Sequence, residues 1–402
     1  NFTVEENTPF DQEVSLDPEL LGKVFENLLA SYNPETQTTA RKQTGSFYTP
    51  REIVQYMVDE SIIAHLCKHV SPDLETEYRK LMAYNDEMPD LDDKRKDEII
   101  NAIFNCKILD PACGSGAFPM GILQQMVHVL SQLDPTNEKW KNLMLENALG
   151  ETKDAFKSQT EEERAEKLRD IENSFNENLN NPDYARKLYL VENCIYGVDI
   201  QPIAVEIARL RCFLSLVIEE KVYDDEPNRG INPLPSLDFK FIIANSLVAL
   251  EESPQLSLFE NQDHIDELRA VRDEYFNADT ERKTELKLEF ADIQKRMFQE
   301  TISNYNKSAS SRYKALSDWS PFSNESTSWF DAEWMFGIKD GFDIVIGNPP
   351  YGLLNKKQNQ KSSIQVTDKE IKYYAAFHLK DTENNKKLEQ ELVHYLQEIL
   401  ES

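Results

Sequence analysis

The stretch that decides the fold is Lys107-Ile-Leu-Asp-Pro-Ala-Cys-Gly-Ser-Gly116, which is followed by residues 117–130 with helical periodicity. The apolar start fits a short buried strand, and the glycine-rich turn leads directly into the helix. Gly114 and Gly116 permit positive φ angles and a close approach of a ligand to the backbone. Pro119 suits the first turn of a helix, where its missing N–H costs no hydrogen bond. The pattern predicts a nucleoside-binding strand–turn–helix unit in an α/β fold.

The same turn indicates which cofactor is bound. It lacks the dinucleotide fingerprint Gly-x-Gly-x-x-Gly, because Pro119 stands at the third glycine position. Asp110 instead places a carboxylate at the tip of the strand. That carboxylate would repel a pyrophosphate, whereas it would attract a cationic sulfonium with a free amino group. The sequence therefore favours S-adenosylmethionine over NAD.

A second apolar run, residues 343–347, ends in Asn348-Pro349-Pro350-Tyr351. The prolines fix their own φ angles and push each preceding residue towards extended geometry, so the Asn348 amide and the Pro349 carbonyl are held in place. Such acceptors favour a substrate NH2 group, because they hold its hydrogens most strongly as the nitrogen becomes tetrahedral. Tyr351 would stack on the aromatic ring that carries the amine. The alternative is a strand for which Pro-Pro only marks the end.

These motifs resemble the N6-adenine DNA methyltransferases in which the cofactor motifs precede the catalytic Asn-Pro-Pro-Tyr motif. Residues 45–58, 196–200 and 241–250 fit that family in the same order. Leu20–Glu26 and Trp334–Ile338 narrow the similarity to methyltransferases fused to restriction endonucleases in one chain, the type IIG enzymes. Such enzymes resemble a nuclease, a methyltransferase and a target-recognition domain in series. This chain would then be mainly the middle part.

The resemblance implies which residues contact the cofactor. Tyr48 and Thr49 would cap its methionine end. Asp199 would bind both ribose hydroxyls, and Asn245 would meet the adenine. The complete implied set is Tyr48, Thr49, Asp110, Ala112, Gly114, Gly116, Asp199, Ile200, Asn245, Leu247 and Pro350.

Within that set, three apolar residues would line the adenine pocket, namely Ile200, Leu247 and Pro350. The catalytic residues implied by the match are Asn348, Pro349, Pro350 and Tyr351.

Structural roles compete with some of these assignments. Asp199 could be a solvated loop carboxylate. Asn245 could cap a helix that begins at Ser246, because Asn is a favoured N-cap residue. Thr49 could be an N-cap with Pro50 at the first helical position, a role that does not exclude a cofactor contact.

The composition predicts a soluble cytoplasmic enzyme. The chain has 402 residues, 40% of them apolar, enough for one α/β domain with helical additions. No apolar stretch approaches the ~20 residues of a membrane span, and no signal-peptide pattern opens the chain. The five cysteines, at positions 67, 106, 113, 194 and 212, form no Cys-x-x-Cys pair, which favours a reducing compartment and argues against a zinc ribbon.

The charge disfavours one mode of DNA binding. With 72 acidic against 44 basic residues, the formal net charge is −28, which disfavours non-specific affinity for phosphates over most of the surface. We therefore expect double-stranded DNA to be bound through a recognition domain outside this chain, and a nuclease domain in the parent protein.

Charged helical segments shape the expected domain organisation. Residues 131–190 predict solvated helices and loops, and they separate Asp199 from Asp110 by far more than the ~20 residues of a standard nucleotide-binding unit. Residues 262–301 predict an antiparallel helical hairpin outside the sheet. The expected divisions are a helical N-terminal region 1–105 with the capping segment 45–58, a catalytic domain 106–351 with insertions 131–190 and 262–301, and a loop and helix 352–402.

The sheet is expected to be incomplete in this chain. A doubly wound sheet needs several more strands after Tyr351, whereas residues 352–402 offer a polar loop and one amphipathic helix. We expect a fragment, or missing residues between Tyr374 and Ala375, where the character of the sequence changes abruptly.

Two sequence patterns are similar to metal sites, but neither is strong enough to predict one. Pro72-Asp73 with Asp92-x-Lys94 spells a metal-dependent nuclease pattern, but the residues between them lack strand alternation. His65 and His69 are four residues apart on one helix face, as in a zinc site. Because no third ligand follows nearby, a surface helix is favoured, and we expect no metal.

The expected reaction is methyl transfer from S-adenosylmethionine to the N6 amine of a flipped adenine, since that amine is inaccessible inside a stacked duplex. One alternative is protein glutamine N5-methylation, because an amide NH2 fits the same acceptors and that family shares Asn-Pro-Pro-Tyr. Another is a non-catalytic scaffold that binds S-adenosylmethionine. The capping segment and the large helical insertions favour DNA.

Overall fold

A computed structural model describes most of the chain between Thr49 and Asn348. The described residues are 32–33, 38–39, 49–85, 87–154, 168–169, 171–176, 181–221, 223, 229, 236–249, 262–275, 278, 280–304, 315 and 319–348. Residues 1–31 and 352–402 lie outside this set, and with them the predicted C-terminal helix and the proposed break after Tyr374.

A parallel sheet lies at the centre of the fold. Two short strands before it, β1 (Tyr32–Asn33) and β2 (Thr38–Thr39), form a separate antiparallel pair. The central sheet has four strands in the order β5-β4-β3-β6, all parallel. They are β3 (Ile108–Asp110), β4 (Ile195–Asp199), β5 (Phe241–Ile243) and β6 (Ile344–Val345). The predicted α/β class with a parallel sheet and a helical N-terminal region is confirmed.

Helices cover the first face of this sheet. They are α1 (Arg51–His69), α2 (Glu75–Met82), α3 (Asp93–Asn105), α4 (Ala117–Leu133), α5 (Glu138–Asp154), α6 (Tyr184–Asn193) and α7 (Pro202–Val217), with a 3-10 turn at Pro72–Leu74. Asp92 caps α3 by accepting from the Arg95 N–H at 2.8 Å, so one carboxylate of the nuclease-like pattern has a structural role. Helix α4 packs closely on α7, since a Cβ added at Gly116 would lie 3.0 Å from the Ala208 Cβ.

The prediction of solvated helices for residues 131–190 is wrong for α5 and α6. Trp140 and Leu190 are completely buried in the core of the first face. The Tyr189 ring stacks on Phe104 at 4.2 Å, and Trp140 packs edge-on against both rings. The surrounding charged residues hid these few apolar positions in the sequence pattern. Burial of an aromatic side chain nevertheless contributes more to stability than several surface charges.

A helical hairpin covers the second face. It consists of α8 (Gln262–Tyr275) and α9 (Thr280–Asn304), and a short helix α10 (Ala332–Phe336) precedes β6. Arg282 pairs with Glu274, and Arg296 pairs with Glu267, so the two helices are antiparallel, as predicted.

The hairpin is nevertheless not peripheral to the sheet. Its Leu268, Phe290 and Ile293 share one buried cluster with Leu109 of β3 and Tyr196 of β4. A parallel sheet is stable when both of its faces are covered, and the hairpin provides the second cover.

The described helices and the cysteines were compared with what a membrane span and a disulfide bond require. None of the helices in the described ranges is long and apolar enough to cross a membrane. All five cysteines are unpaired.

Candidate functional site

The sequence-predicted residues meet at the carboxyl edge, the edge of the sheet formed by the carboxyl ends of β3 to β6. The chain passes from β3 to β4 and β5 on one side and later arrives at β6 on the other side. Ligands of open α/β sheets bind outside the carboxyl ends at such a switch in strand order. Asp110 ends β3, Asp199 ends β4, and Asn348 lies three residues after the end of β6.

The glycine turn is held by the tip of β4. The Gly114 N–H donates to Asp199 Oδ2 at 2.9 Å, and the Gln201 N–H donates to Asp199 Oδ1 at 2.8 Å. Gly114 has a φ of 53°, and no described heavy atom lies within 4 Å of the position that a Cβ would take there. The Asp199 carboxylate therefore fixes the turn, while the space beside Gly114 is free of described atoms.

Asp110 is the most constrained group of the site. Its side chain is only 1% exposed, and its Oδ1 accepts from the Ala112 N–H at 3.0 Å. Its Oδ2 is buried and has no hydrogen-bond partner among the described residues. Burial raises the pKa of this carboxyl well above its usual range, the Ala112 N–H opposes the rise, and the nearby Asp199 charge adds to it. A buried acceptor without a donor is costly, so a ligand that brings a donor or a positive charge would be favoured.

Asp199 is not a solvated loop carboxylate. Burial raises its pKa, while hydrogen bonds from the N–H groups of Gln201, Gly114 and Ile200 lower it. The side chain links the tips of two strands, and Ile200, which follows it, is 47% exposed. An exposed isoleucine beside a half-buried carboxylate offers one apolar and one polar contact to a ligand.

Asn245 does not cap a helix, because a turn and not a helix follows it within residues 236–249. Its Oδ1 accepts from the Leu247 N–H at 3.1 Å, which closes a local turn in the manner typical of Asn. Its neighbour Ser246 donates to the Pro111 carbonyl at 2.6 Å. The segment after β5 is thus tied to the glycine turn, with Leu247 half-buried beside it.

The segment after β6 passes directly over the tip of β3. The Ile346 N–H donates to the Leu109 carbonyl at 2.9 Å. A Cβ added at Gly347 would lie 2.5 Å from Asp110 Oδ1, so only glycine fits between the two strand ends. Asn348, the next residue, therefore lies at the same crevice as the Asp110 carboxylate.

The capping segment reaches Asn348 through Thr49. Asn348 Nδ2 donates to Thr49 Oγ1 at 3.1 Å, and Thr49 is buried. The predicted N-cap role of Thr49 is wrong, because α1 begins at Arg51 and Pro50 occupies the cap position without a side-chain bond. Its hydroxyl is used by the site and not by the helix.

The structure thus brings together Thr49, Asp110, Ala112, Gly114, Gly116, Asp199, Ile200, Asn245, Leu247 and Asn348. The predicted residues Tyr48, Pro349, Pro350 and Tyr351 lie outside the described residues. Sequence reasoning missed Gly347 and Ser246. A glycine next to a strand often marks close backbone approach and could have identified Gly347, whereas no local signal identifies Ser246.

Two comparisons show which known proteins this chain is similar to. Residues 193–390 match the profile of the Eco57I restriction-modification methylase family. A protein of Methanocaldococcus jannaschii whose name describes a type II restriction enzyme and methyltransferase is 27% identical over 266 residues. That alignment covers 61% of this chain and 18% of the archaeal protein.

These matches confirm the resemblance to restriction-modification methylases that the motifs indicated. The chain therefore spans about a fifth of the length of the relative that it matches.

Proposed function

We propose that this chain, part of which matches the profile of the Eco57I restriction-modification methylases, transfers a methyl group from S-adenosylmethionine to the N6 amine of an adenine flipped out of duplex DNA. The observation that carries the proposal is the contact between the ends of β3 and β6, where Gly347 lies against Asp110 and Asn348 follows. A methyl donor held at one strand end and an amine held at the other would lie face to face.

The chain's own residues fit the proposed cofactor. Asp110 Oδ2, which has no partner among the described residues, would accept from its amino group and attract the sulfonium. Asp199 would bind the ribose hydroxyls, and the exposed Ile200 would pack on the adenine with Leu247 and Asn245 beside it. When bound, S-adenosylmethionine supplies an electrophilic methyl group.

The remaining contacts to the cofactor are proposed from the family resemblance. Ala112, Gly114 and Gly116 would bring the backbone of the turn close to it. Tyr48 would join Thr49 at its methionine end, and Pro350 would close the adenine pocket.

Asn348 would act on the substrate amine. Because Thr49 accepts from Nδ2, the carboxamide is oriented with Oδ1 as its acceptor atom. Oδ1 and the Pro349 carbonyl would accept the two amine hydrogens and favour the tetrahedral nitrogen. Transfer would form a bond between N6 and the methyl carbon while the carbon–sulfur bond breaks with its electron pair moving to sulfur, and N6 would then lose a proton to solvent. Tyr351 would stack on the flipped base.

The proposed substrate also implies further parts of the protein. A net charge of −28 gives the chain little general attraction to phosphates. We therefore propose that residues 106–351 form the catalytic domain and that duplex DNA is held by a recognition domain outside this chain. The match to a protein named as both restriction enzyme and methyltransferase supports a nuclease domain in the parent protein.

Methyl transfer from tritiated S-adenosylmethionine by the full-length protein tests the proposal. Duplex DNA and a glutamine-containing peptide would be offered in separate reactions, and the methylated product would be identified by mass spectrometry. We expect label in DNA as N6-methyladenine. The variant Asn348→Ala should lose about 10²- to 10³-fold in rate, the loss typical of removing one preorganised transition-state contact.

A matched control is Asn101→Ala, which removes an exposed asparagine on α3. It should leave the rate unchanged. Label only in the peptide would replace the DNA proposal with glutamine methylation. Equal rates for Asn348→Ala and the unaltered protein would instead favour a non-catalytic scaffold.

A further inference from the structure

A second cluster of polar side chains lies at the amino edge, the edge of the sheet where β3 and β6 begin. Helix α1 has 19 residues and is therefore about 28 Å long at 1.5 Å per residue. It runs from Arg51, two residues after Thr49 at the carboxyl edge, to His69 at the amino edge. Asp343, which immediately precedes β6, lies beside its last turn.

Three side chains converge there. The rings of His65 and His69 are 4.4 Å apart between centroids. His69 Nε2 lies 3.9 Å from Asp343 Oδ1. One nitrogen or oxygen atom from each of His65, His69 and Asp343 lies within 4.8 Å of the other two.

The hydrogen bonding of His65 prepares it as a ligand. Its Nε2 lies 3.1 Å from the Ala102 carbonyl, which can only accept, so Nε2 carries the hydrogen and Nδ1 carries the lone pair. His65 is 6% exposed, and Nδ1 is buried without a hydrogen-bond partner among the described residues. Histidines that bind metals usually donate their other N–H to a carbonyl or carboxylate in this way.

Asp343 is oriented by a second bond. Its Oδ2 accepts from the Lys107 N–H at 2.8 Å, while its Oδ1 is the atom nearest to His69. One oxygen is thus fixed by the backbone before β3, and the other faces the two imidazoles. The carboxylate has the outer-shell support that metal ligands have.

We propose that His65, His69 and Asp343 form a binding site for a divalent transition-metal ion. Two imidazole nitrogens and one carboxylate oxygen suit Zn²⁺, Co²⁺ or Ni²⁺ better than Mg²⁺ or Ca²⁺, which prefer oxygen ligands. Bond lengths of about 2.0 Å place tetrahedral ligands about 3.3 Å apart. The present ligand atoms lie within 4.8 Å of one another. His69 and Asp343 are exposed, so their side chains can move closer to reach the tetrahedral spacing. Solvent would supply the fourth ligand.

The metal would join two elements of the proposed active site at their far ends. It would tie the last turn of α1 to the start of β6, while Thr49 before α1 meets Asn348 after β6. The site is therefore a structural clamp, independent of whether the substrate is DNA. The sequence favoured a surface helix here only because its third ligand is far away in the chain.

Calorimetric titration of ZnCl2 into the metal-free 402-residue chain tests the site. Asp343→Asn is the sharpest variant, because its amide oxygen can still accept from the Lys107 N–H while the negative ligand is lost. The matched control is Asp340→Asn, which changes an exposed aspartate three residues away. We expect Asp343→Asn and His69→Gln each to weaken binding at least about 10- to 100-fold, the loss that even outer-shell changes cause, and Asp340→Asn to have no effect.

Co²⁺ gives a second readout that reports the coordination of the metal directly and does not depend on activity. The unaltered chain with Co²⁺ should show the intense visible bands of four-coordinate cobalt, and Asp343→Asn should not. Equal Zn²⁺ affinity for the unaltered chain and both ligand variants would overturn the proposal, as would Co²⁺ bands that persist in Asp343→Asn. Circular dichroism of each variant would establish that it is folded.

Discussion

The two edges of the sheet are built by different parts of the chain. The carboxyl edge is made mainly of backbone, with a glycine turn, four strand ends and two carboxylates that accept from N–H groups, one buried and one half-buried. The amino edge is made of side chains, two from α1 and one from the residue before β6. Each edge holds one buried atom without a partner among the described residues, Asp110 Oδ2 at the first and His65 Nδ1 at the second. The difference teaches that the surroundings of a buried, unsatisfied acceptor decide its ligand, which we propose to be a cationic organic molecule at the carboxyl edge and a metal ion at the amino edge.

The largest expected effect is on S-adenosylmethionine affinity, and the same Asp→Asn substitution at each edge tests it. Asp199→Asn should weaken binding of S-adenosylmethionine about 100-fold or more, because hydrogen bonds to a charged group contribute about 1.5–3 kcal/mol each and the ribose would lose them. Asp343→Asn, at the amino edge, should leave that affinity unchanged. Calorimetry with each variant measures both values. Equal affinities for the unaltered chain and Asp199→Asn would reject the ribose assignment.

Alanine substitutions at two glycines near β6, Gly347 and Gly341, test the packing at the two edges, where the previous pair tested charge. A Cβ at Gly347 would meet Asp110 Oδ1 at 2.5 Å, whereas nothing described lies within 4 Å of a Cβ at Gly341. Gly347→Ala should destabilise the fold by about 1–3 kcal/mol through overpacking and also weaken cofactor binding. Gly341→Ala should cost roughly 1–2 kcal/mol, because its φ is 83°, with cofactor affinity retained.

Denaturant unfolding and calorimetry on both glycine variants distinguish these outcomes. The close approach of β6 to Asp110 would be refuted by a Gly347→Ala protein with unaltered cofactor affinity.

The two edges also differ in how far the sequence predicts them. The carboxyl edge could be located because Asp110, Gly114 and Gly116 lie in one contiguous motif, and parallel strands necessarily end at one side of a sheet. The amino edge could not, since His69 and Asp343 meet only after α1 and β6 are packed. Trp140 was missed for a related reason, because the charged residues around it dominate the local pattern.

The hydroxyl of Thr49 should have a smaller effect. Thr49→Val keeps the shape but removes the acceptor for Asn348 Nδ2, which lies 3.1 Å away. One such bond contributes about 1 kcal/mol, so kcat for methyl transfer should fall about 5- to 10-fold. Thr49→Ser should restore the rate, because it keeps the hydroxyl. If Thr49 only packs, both variants should have the same kcat, and its proposed positioning role would be withdrawn.

The last expected effect is on stability and not on either site, and it comes from Asp59, which lies on α1 between the two edges. Burial raises the pKa of its carboxyl from 3.8 to about 7, although the hydrogen bond from Gln55 lowers it and the charge of Glu60 raises it further. In the folded state the carboxyl therefore holds its proton over a pH range in which the unfolded chain has lost it. The free energy of unfolding should fall as the pH rises between these two values and then level off.

Asp59→Asn removes this titration, so its stability relative to the unaltered chain should increase as the pH rises from about 4 to about 7. Urea unfolding at several pH values measures the difference, and Asp73→Asn, at an exposed position, serves as the control. Neither Zn²⁺ nor S-adenosylmethionine affinity should change in Asp59→Asn, because the residue contacts neither proposed site. A change in both affinities would instead mean that α1 transmits strain between the edges, and the two sites would then have to be treated as coupled.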